Sequence, residues 1–181
     1  MSKPTASILT SLHGRRFGLG PDNELVVNKD GSGGSATAQA DVLNIARKQL
    51  TTAEVLALFT TPIEVIAAPG AGKAILVHRM VAAMDYNTTA YVGGAGEDLT
   101  LTYTDASGLA LTAPLDDSGF IEAAADAIAY APGVGVSSQG IELTQNAAVM
   151  AFMQVGNVAT GDSAVDLTVY YEVLTLADFF I

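Results

Sequence analysis

Between residues 165 and 173 the chain alternates without a break, with Val165, Leu167, Val169, Tyr171 and Val173 on one side and Asp166, Thr168, Tyr170 and Glu172 on the other. Successive side chains of a strand point to opposite faces, so this period of two predicts a strand with one buried and one wet face. Residues 99–104 repeat the pattern, with Leu99, Leu101 and Tyr103 set against Thr100, Thr102 and Thr104, and 141–145 alternate similarly. Residues 148–155 are apolar on both faces, which predicts a central strand or part of a subunit contact. Residues 74–86 read as a further long strand, interrupted on one side by Arg79 and on the other by His78. Gly- and Pro-rich turns separate these runs at 67–72, 93–96, 105–108, 131–135, 138–140 and 156–163. Many strands spaced by turns imply an antiparallel sandwich, jelly roll or barrel. Its expected core includes Leu101, Tyr103, Val165, Leu167, Val169, Tyr171 and Val173.

Helical spacing is confined to two short places. Over 51–59, Thr51 and Glu54 have capping-box spacing and Val55, Leu58 and Phe59 form one apolar side, with Thr60, Thr61 and Pro62 ending the helix. A second short helix is expected within 118–131, where Phe120, Ala124 and Ile128 recur every four residues.

The first 48 residues are chemically different. Residues 8–27 hold two short apolar stretches around Gly20-Pro21-Asp22-Asn23, which is turn chemistry and predicts a small hairpin or hook. Residues 28–41 have almost no large apolar side chain, so alone they cannot offset their backbone entropy; they read as a flexible linker or a strap ordered by a partner. Charge divides the same way. Residues 1–48 carry six of the eight cations against four acids, and 49–181 carry Lys73 and Arg79 against fifteen acids, a net +2 against −13. The expected organisation is therefore an extended N-terminal arm, 1–48, on a mainly β, sandwich or jelly-roll-like body, 49–181.

Half the residues are apolar and 15 % are charged, a surplus that favours oligomerisation. Met150 and Phe152, with the terminal Phe179, Phe180 and Ile181, are the expected oligomer contacts. The absence of cysteine excludes disulfides, thiolate nucleophiles and Cys-type zinc sites. A net charge of −11 repels phosphate backbones, and the arm lacks clustered cations with interleaved aromatics, so no nucleic-acid partner is expected. Lys73, His78, Arg79 and Asp85 interrupt the longest apolar candidate well short of the roughly 18 consecutive residues of a membrane helix, and no membrane partner is expected. The opening residues lack the pattern of a secretory signal, which predicts synthesis in the cytoplasm.

Several motifs approach chemistry and miss it. Ala67 to Ala74 imitates a phosphate-binding loop, but alanine stands at both the first glycine and the hydroxyl position, and β-branched residues follow where a helix should open; a tight hairpin turn between strands 63–66 and 75–86 is the reading. Asp85 to Thr89 opens like a calcium loop, yet Ala90 and Gly96 replace its glycine and glutamate, leaving a turn at the end of a strand. The adjacent carboxylates Glu97-Asp98 and Asp116-Asp117 could offer oxygen ligands and read instead as solvated loops. Gly135 to Gly140 is no nucleophile elbow, since two residues separate Ser137 from the second glycine. The imidazoles are His13, in the arm, and His78, which reads as a half-buried, hydrogen-bonded structural residue. No catalytic, cofactor or metal residue is assigned, and no enzyme is expected.

The opening SILTSLHGRRFGLGPDNELVVN, the low-complexity stretch after it, and the run TTAEVLALFTTPIEVIAAPGAGKAILVHRMVAAMDYNTTAYVGG resemble the head decoration, or capsid cement, proteins of tailed bacteriophages. The resemblance implies a jelly-roll-like domain, usually a homotrimer, seated on the capsid exterior, with an arm reaching to major capsid protein subunits or neighbouring decoration proteins. It makes Leu12, Arg15, Arg16 and Phe17 the expected capsid-binding residues, with the virion as the location and stabilisation of capsid subunit junctions as the function. Two other functions fit the same composition. A receptor- or glycan-binding fibre domain would cluster Tyr86, Tyr91 and Tyr103 in a groove, and a hydrolase on a β scaffold would place His78 in a cleft beside one or two acids.

Overall fold

The computed structural model describes residues 43–134 and 143–178, together with the backbone of three short strands between residues 9 and 28. The chain divides into two compact units, Met1–Asp41 and Val42–Ile181. In the first, β1 (Leu9–Thr10), β2 (Arg16–Leu19) and β3 (Leu25–Asn28) form an antiparallel sheet in chain order, with Phe17 opposite Leu9 on one side and Val27 on the other. The β2–β3 pair is the expected hairpin; its turn and the strap that follows lie outside the described residues.

The second unit begins with β4 (Asn44–Leu50), which pairs along its whole length with the chain's last strand. Arg47 and Lys48, grouped by charge with the arm, thus belong to a strand of the body. Their charge does not forbid this, because Arg47 faces outward and Lys48 reaches Glu54 at 3.5 Å. Then follow α1 (Thr52–Leu56), β5 (Ile63–Ile66), β6 (Lys73–Asp85), β7 (Tyr91–Val92), β8 (Leu99–Tyr103), β9 (Ala127–Pro132), β10 (Val149–Met153), β11 (Ala159–Thr160) and β12 (Ala164–Thr175). They make a four-stranded sheet in the order β4-β12-β6-β9, a three-stranded sheet β5-β10-β8 and the small pair β11-β7, all antiparallel.

The two larger sheets bury one core between them. Met80, Ala82, Met84, Val165, Leu167 and Val169 from the first meet Leu99, Leu101, Tyr103, Val149, Ala151 and Met153 from the second. The Tyr103 hydroxyl donates to the Ile75 carbonyl, tying one sheet to the other. Of the expected core, Tyr171 packs on the rim and Val173 is half-buried; the other five residues are fully enclosed. The body is mainly β, as its alternation predicts. Helix α1 also stands where expected: the Thr51 side chain accepts the Glu54 N–H and the Glu54 carboxylate accepts the Thr51 N–H at 2.7 Å.

Four local expectations are corrected. Residues 118–131 are not helical: 119–122 form turns that plant Phe120 and Ile121 in the core, and β9 begins at Ala127. The loop 67–72 is not a hairpin, because β5 and β6 lie in different sheets and it carries the chain between them, with Gly70 and Gly72 at φ of 96° and 76°. The threonine face of β8 is not wet: Thr100 and Thr102 are buried, their hydroxyls donating to the Thr112 and Asp105 carbonyls at 3.1 and 2.8 Å. Residues 143–145 are irregular rather than a strand, and 141–142 lie outside the described residues.

Candidate interaction surface

The four-stranded sheet buries one face and presents the other. Its register sets three rows of residues across the outward face: Gln49, Asp166, Ala83 and Ile128; then Arg47, Thr168, Val81 and Tyr130; then Ile45, Tyr170, Arg79 and Pro132. Ile128 is 80 % exposed, Tyr130 59 % and Ile45 52 %. Arg79 stacks on the Tyr170 ring directly opposite, with its guanidinium carbon 4.0 Å from the ring centre. That geometry keeps a cation flat on the surface and covers one face of the ring. The face therefore alternates large apolar side chains with a few charges, the composition of a protein contact.

A β-bulge marks one end of this face. Tyr170 pairs with Arg79 and Tyr171 with Val77, so His78 is the extra residue. Its carbonyl accepts the Gly133 N–H at 2.8 Å, and its Nε2 lies 3.1 Å from Glu172 Oε1. That contact is ion-pair close but too poorly aligned for a hydrogen bond. His78 is half-buried as expected, but the hydrogen bond expected of it is not made by Nε2, whose neighbour is the Glu172 carboxylate on the adjacent strand. At the other end, a cleft of about 310 Å³ is lined by Gln49, Asp85, Asn87, Asp162, Ser163 and Asp166 among others. The Asp162 carboxylate accepts the Thr88 hydroxyl at 2.5 Å, the Thr89 and Thr88 N–H groups at 2.9 and 3.1 Å and the Asn87 side-chain amide at 3.1 Å; the Thr88 hydroxyl bond first, then the backbone bonds, hold its pKa below the usual carboxylate range. Those bonds close the turn that leaves β6.

The expected contact residues are distributed unevenly. Leu12, Arg15, Phe179 and Phe180 lie outside the described residues. Arg16 and Phe17 occupy β2, where only the backbone is described. Met150 and Phe152 share β10, the middle strand of its sheet; Met150 is half-buried, while Phe152 is 7 % exposed with its ring 5.7 Å from that of Phe59. Phe152 thus spends its area inside its own body. The tyrosines do not form a groove: Tyr91 and Tyr103 are buried, donating to the Ser163 and Ile75 carbonyls, and burial raises the pKa of both. Ile45 and Tyr130 go unremarked in the sequence, and Ile128 reads there as part of a helix rather than as a contact residue. Their signal was alternation with small residues, alanine facing inward and the large side chain outward. Among the described residues no helix is long and apolar enough to cross a membrane.

No protein-family model matches the chain, and no curated protein matches it. Among solved structures, the capsid of Ralstonia phage GP4 is similar over 72 % of this chain and 84 % of that one, at 13 % identity and a TM-score of 0.41. A chain of the cyanophage Pam1 capsid asymmetric unit is similar over 79 % of this chain and 99 % of its own, at 17 % identity and a TM-score of 0.41. Both are phage capsid structures.

Proposed function

We propose that the chain is a virion structural protein that binds the outer surface of an assembled capsid and stabilises it at subunit junctions. The observation that carries this reading is the outward face of the four-stranded sheet, with Ile45, Ile128 and Tyr130 each more than half exposed. Large apolar side chains on both edge strands of one regular face, Ile45 on β4 and Ile128 with Tyr130 on β9, are best explained by a protein surface that spans the sheet and covers them. The resemblance of the N-terminal segments to capsid decoration proteins supplies the occupant. A separate N-terminal unit, with Arg15, Arg16, Leu12 and Phe17 as its contacts, adds a second point of attachment to neighbouring subunits. A protein that binds only the assembled lattice stabilises it by mass action, and a homotrimer would multiply three weak contacts into an avid one.

The test is rebinding to capsids of its own virion stripped of this chain. The intact protein should rebind in saturable, lattice-limited numbers and raise the temperature at which the shells open. Removal of residues 2–41, the first compact unit, should leave the body folded and lower capsid affinity by at least about tenfold, roughly 1.4 kcal/mol. Failure of the intact chain to rebind would sink the reading. Undiminished binding after the deletion would assign docking to the sheet face alone.

A further inference from the structure

Glu97 and Asp117, expected in solvated loops, turn their carboxylates inward. Glu97 is 9 % exposed and Asp117 6 %. Asp117 Oδ1 accepts the Ser118 N–H at 2.7 Å, but Asp117 Oδ2 and Glu97 Oε2 are both buried with no hydrogen-bond partner. The two orphan oxygens converge. A Cβ on Gly93 would stand 3.4 Å from each of them and 3.3 Å from Glu122 Oε1, which also accepts the Gly93 N–H. Gly94 and Gly156 line the same nest, where a Cβ would come within 3.0 and 3.1 Å of Glu97 Oε1. Glycine at these positions leaves the volume that the carboxylates fill.

Like charges brought together out of water are costly unless a proton or a cation neutralises them. Among the described residues the ion pairs are Lys48 with Glu54 and His78 with Glu172, so no lysine or arginine there serves this nest. We propose that Glu97, Asp117 and Glu122 form a binding site for a hard divalent cation of the calcium class. The donors are all oxygen, which disfavours zinc, and they come from two loops of irregular geometry, which suits calcium better than magnesium with its demand for an octahedron. As they stand, no three acidic, histidine or cysteine side chains among the described residues are placed to hold a metal ion, so capture requires the nest to close around the cation. The carboxylates must rotate until their oxygens reach the 2.3–2.6 Å of a calcium–oxygen bond. Capture would therefore tie the loop before β8 to the turn at 117–122, whatever the outward sheet face binds.

The test uses the full chain, freed of metal by a chelator and titrated calorimetrically with calcium chloride and, separately, magnesium chloride. Calcium should bind saturably at one ion per chain and raise the unfolding temperature, and magnesium should bind more weakly. Asp117→Asn and Glu97→Gln should each weaken calcium binding by at least about tenfold, since even outer partners of metal ligands are worth that much. Asp105→Asn, which alters an exposed carboxylate occupied with Ser107, should leave binding unchanged. If either nest variant fails to fold, hydrogen exchange on the unmodified chain assigns the site: calcium should slow the Gly93 and Ser118 amides. No saturable calcium uptake at millimolar concentration, binding that survives both nest substitutions, or unchanged exchange at those amides would each overturn the proposal.

Discussion

Gly161 lies flat against the ring of Tyr91: a Cβ at 161 would stand 2.2 Å from Tyr91 Cδ1, and the glycine holds φ at 83°. The ring cannot retreat, because Tyr91 is 1 % exposed and its hydroxyl is bonded to the Ser163 carbonyl. Gly161→Ala should therefore cost about 3 kcal/mol, combining overpacking with left-handed backbone strain. The melting temperature should fall by about 6–12 °C for a protein of this size. Gly70→Ala separates the two causes. Gly70 has φ of 96° but open space around it, so its replacement should cost only the conformational part, about 1–2 kcal/mol. Equal losses in the two variants would show that the Tyr91 contact is unimportant.

The capping box of α1 should make stability depend on pH. Hydrogen bonds from the Thr51 backbone and then its side chain, with Lys48 nearby, hold the Glu54 pKa below its ordinary 4.5. A lowered carboxylate pKa contributes stability that is present above the unfolded value and lost as pH falls through the folded one. Thr51→Ala should cost about 1 kcal/mol at neutral pH. Urea melts of Glu54→Gln and the unmodified chain should differ at neutral pH and converge as pH drops below 4.5. A gap that stays constant across that range would mean the carboxylate charge plays no part.

Val155 is a β-branched residue at φ of 65°, 69 % exposed, where Gly156 N–H turns back to the Gln154 carbonyl at 2.7 Å. Left-handed backbone costs an ordinary residue about 1–2 kcal/mol, and glycine's extra freedom in the unfolded chain returns about half of that. Val155→Gly should thus stabilise the body by about 0.5–1 kcal/mol, read as a higher denaturant midpoint with unchanged slope. A loss of stability would reveal a packing role for the valine side chain.

What the sequence made legible follows where hydrophobic weight sat. In β12 the large side chains are the buried ones, so Val165, Leu167 and Val169 announced both strand and face. In β9 the weight is reversed: Ala129 and Ala131 face Ala82 and Met80 inside, while Ile128 and Tyr130 stand outside. With small residues inward, the spacing of Phe120, Ala124 and Ile128 looked helical, although Phe120 belongs to a turn. The acidic nest was hidden for another reason. Glu97 and Asp117 are separated by β8 and its return through Leu111 and Leu115, and the pairing of Leu99 with Leu115, with the Asp117 N–H donated to Asp98 Oδ1 at 3.1 Å, brings their loops together. Glycines at 93, 94 and 156 were the local sign, readable only once that pairing is known.

The outward sheet face offers a way to separate binding from folding. Ile45, Ile128 and Tyr130 touch solvent over most of their area, and threonine at each position would keep β-propensity while removing apolar surface. The triple variant Ile45→Thr, Ile128→Thr and Tyr130→Thr should keep the melting temperature within the few degrees that surface changes of about 0.5 kcal/mol each produce. Its affinity for stripped capsids should nonetheless fall by at least about tenfold, because exposed aromatic and aliphatic anchors carry most of the energy of such contacts. Sedimentation of the same variant distinguishes the covering surface. If capsid binding falls while the oligomeric state is unchanged, the face meets the lattice. If the oligomer dissociates first, the face joins copies of this chain, and capsid affinity drops only because avidity is lost. A variant that binds and assembles like the parent would leave the apolar face without a partner and remove the observation on which the capsid-binding reading rests.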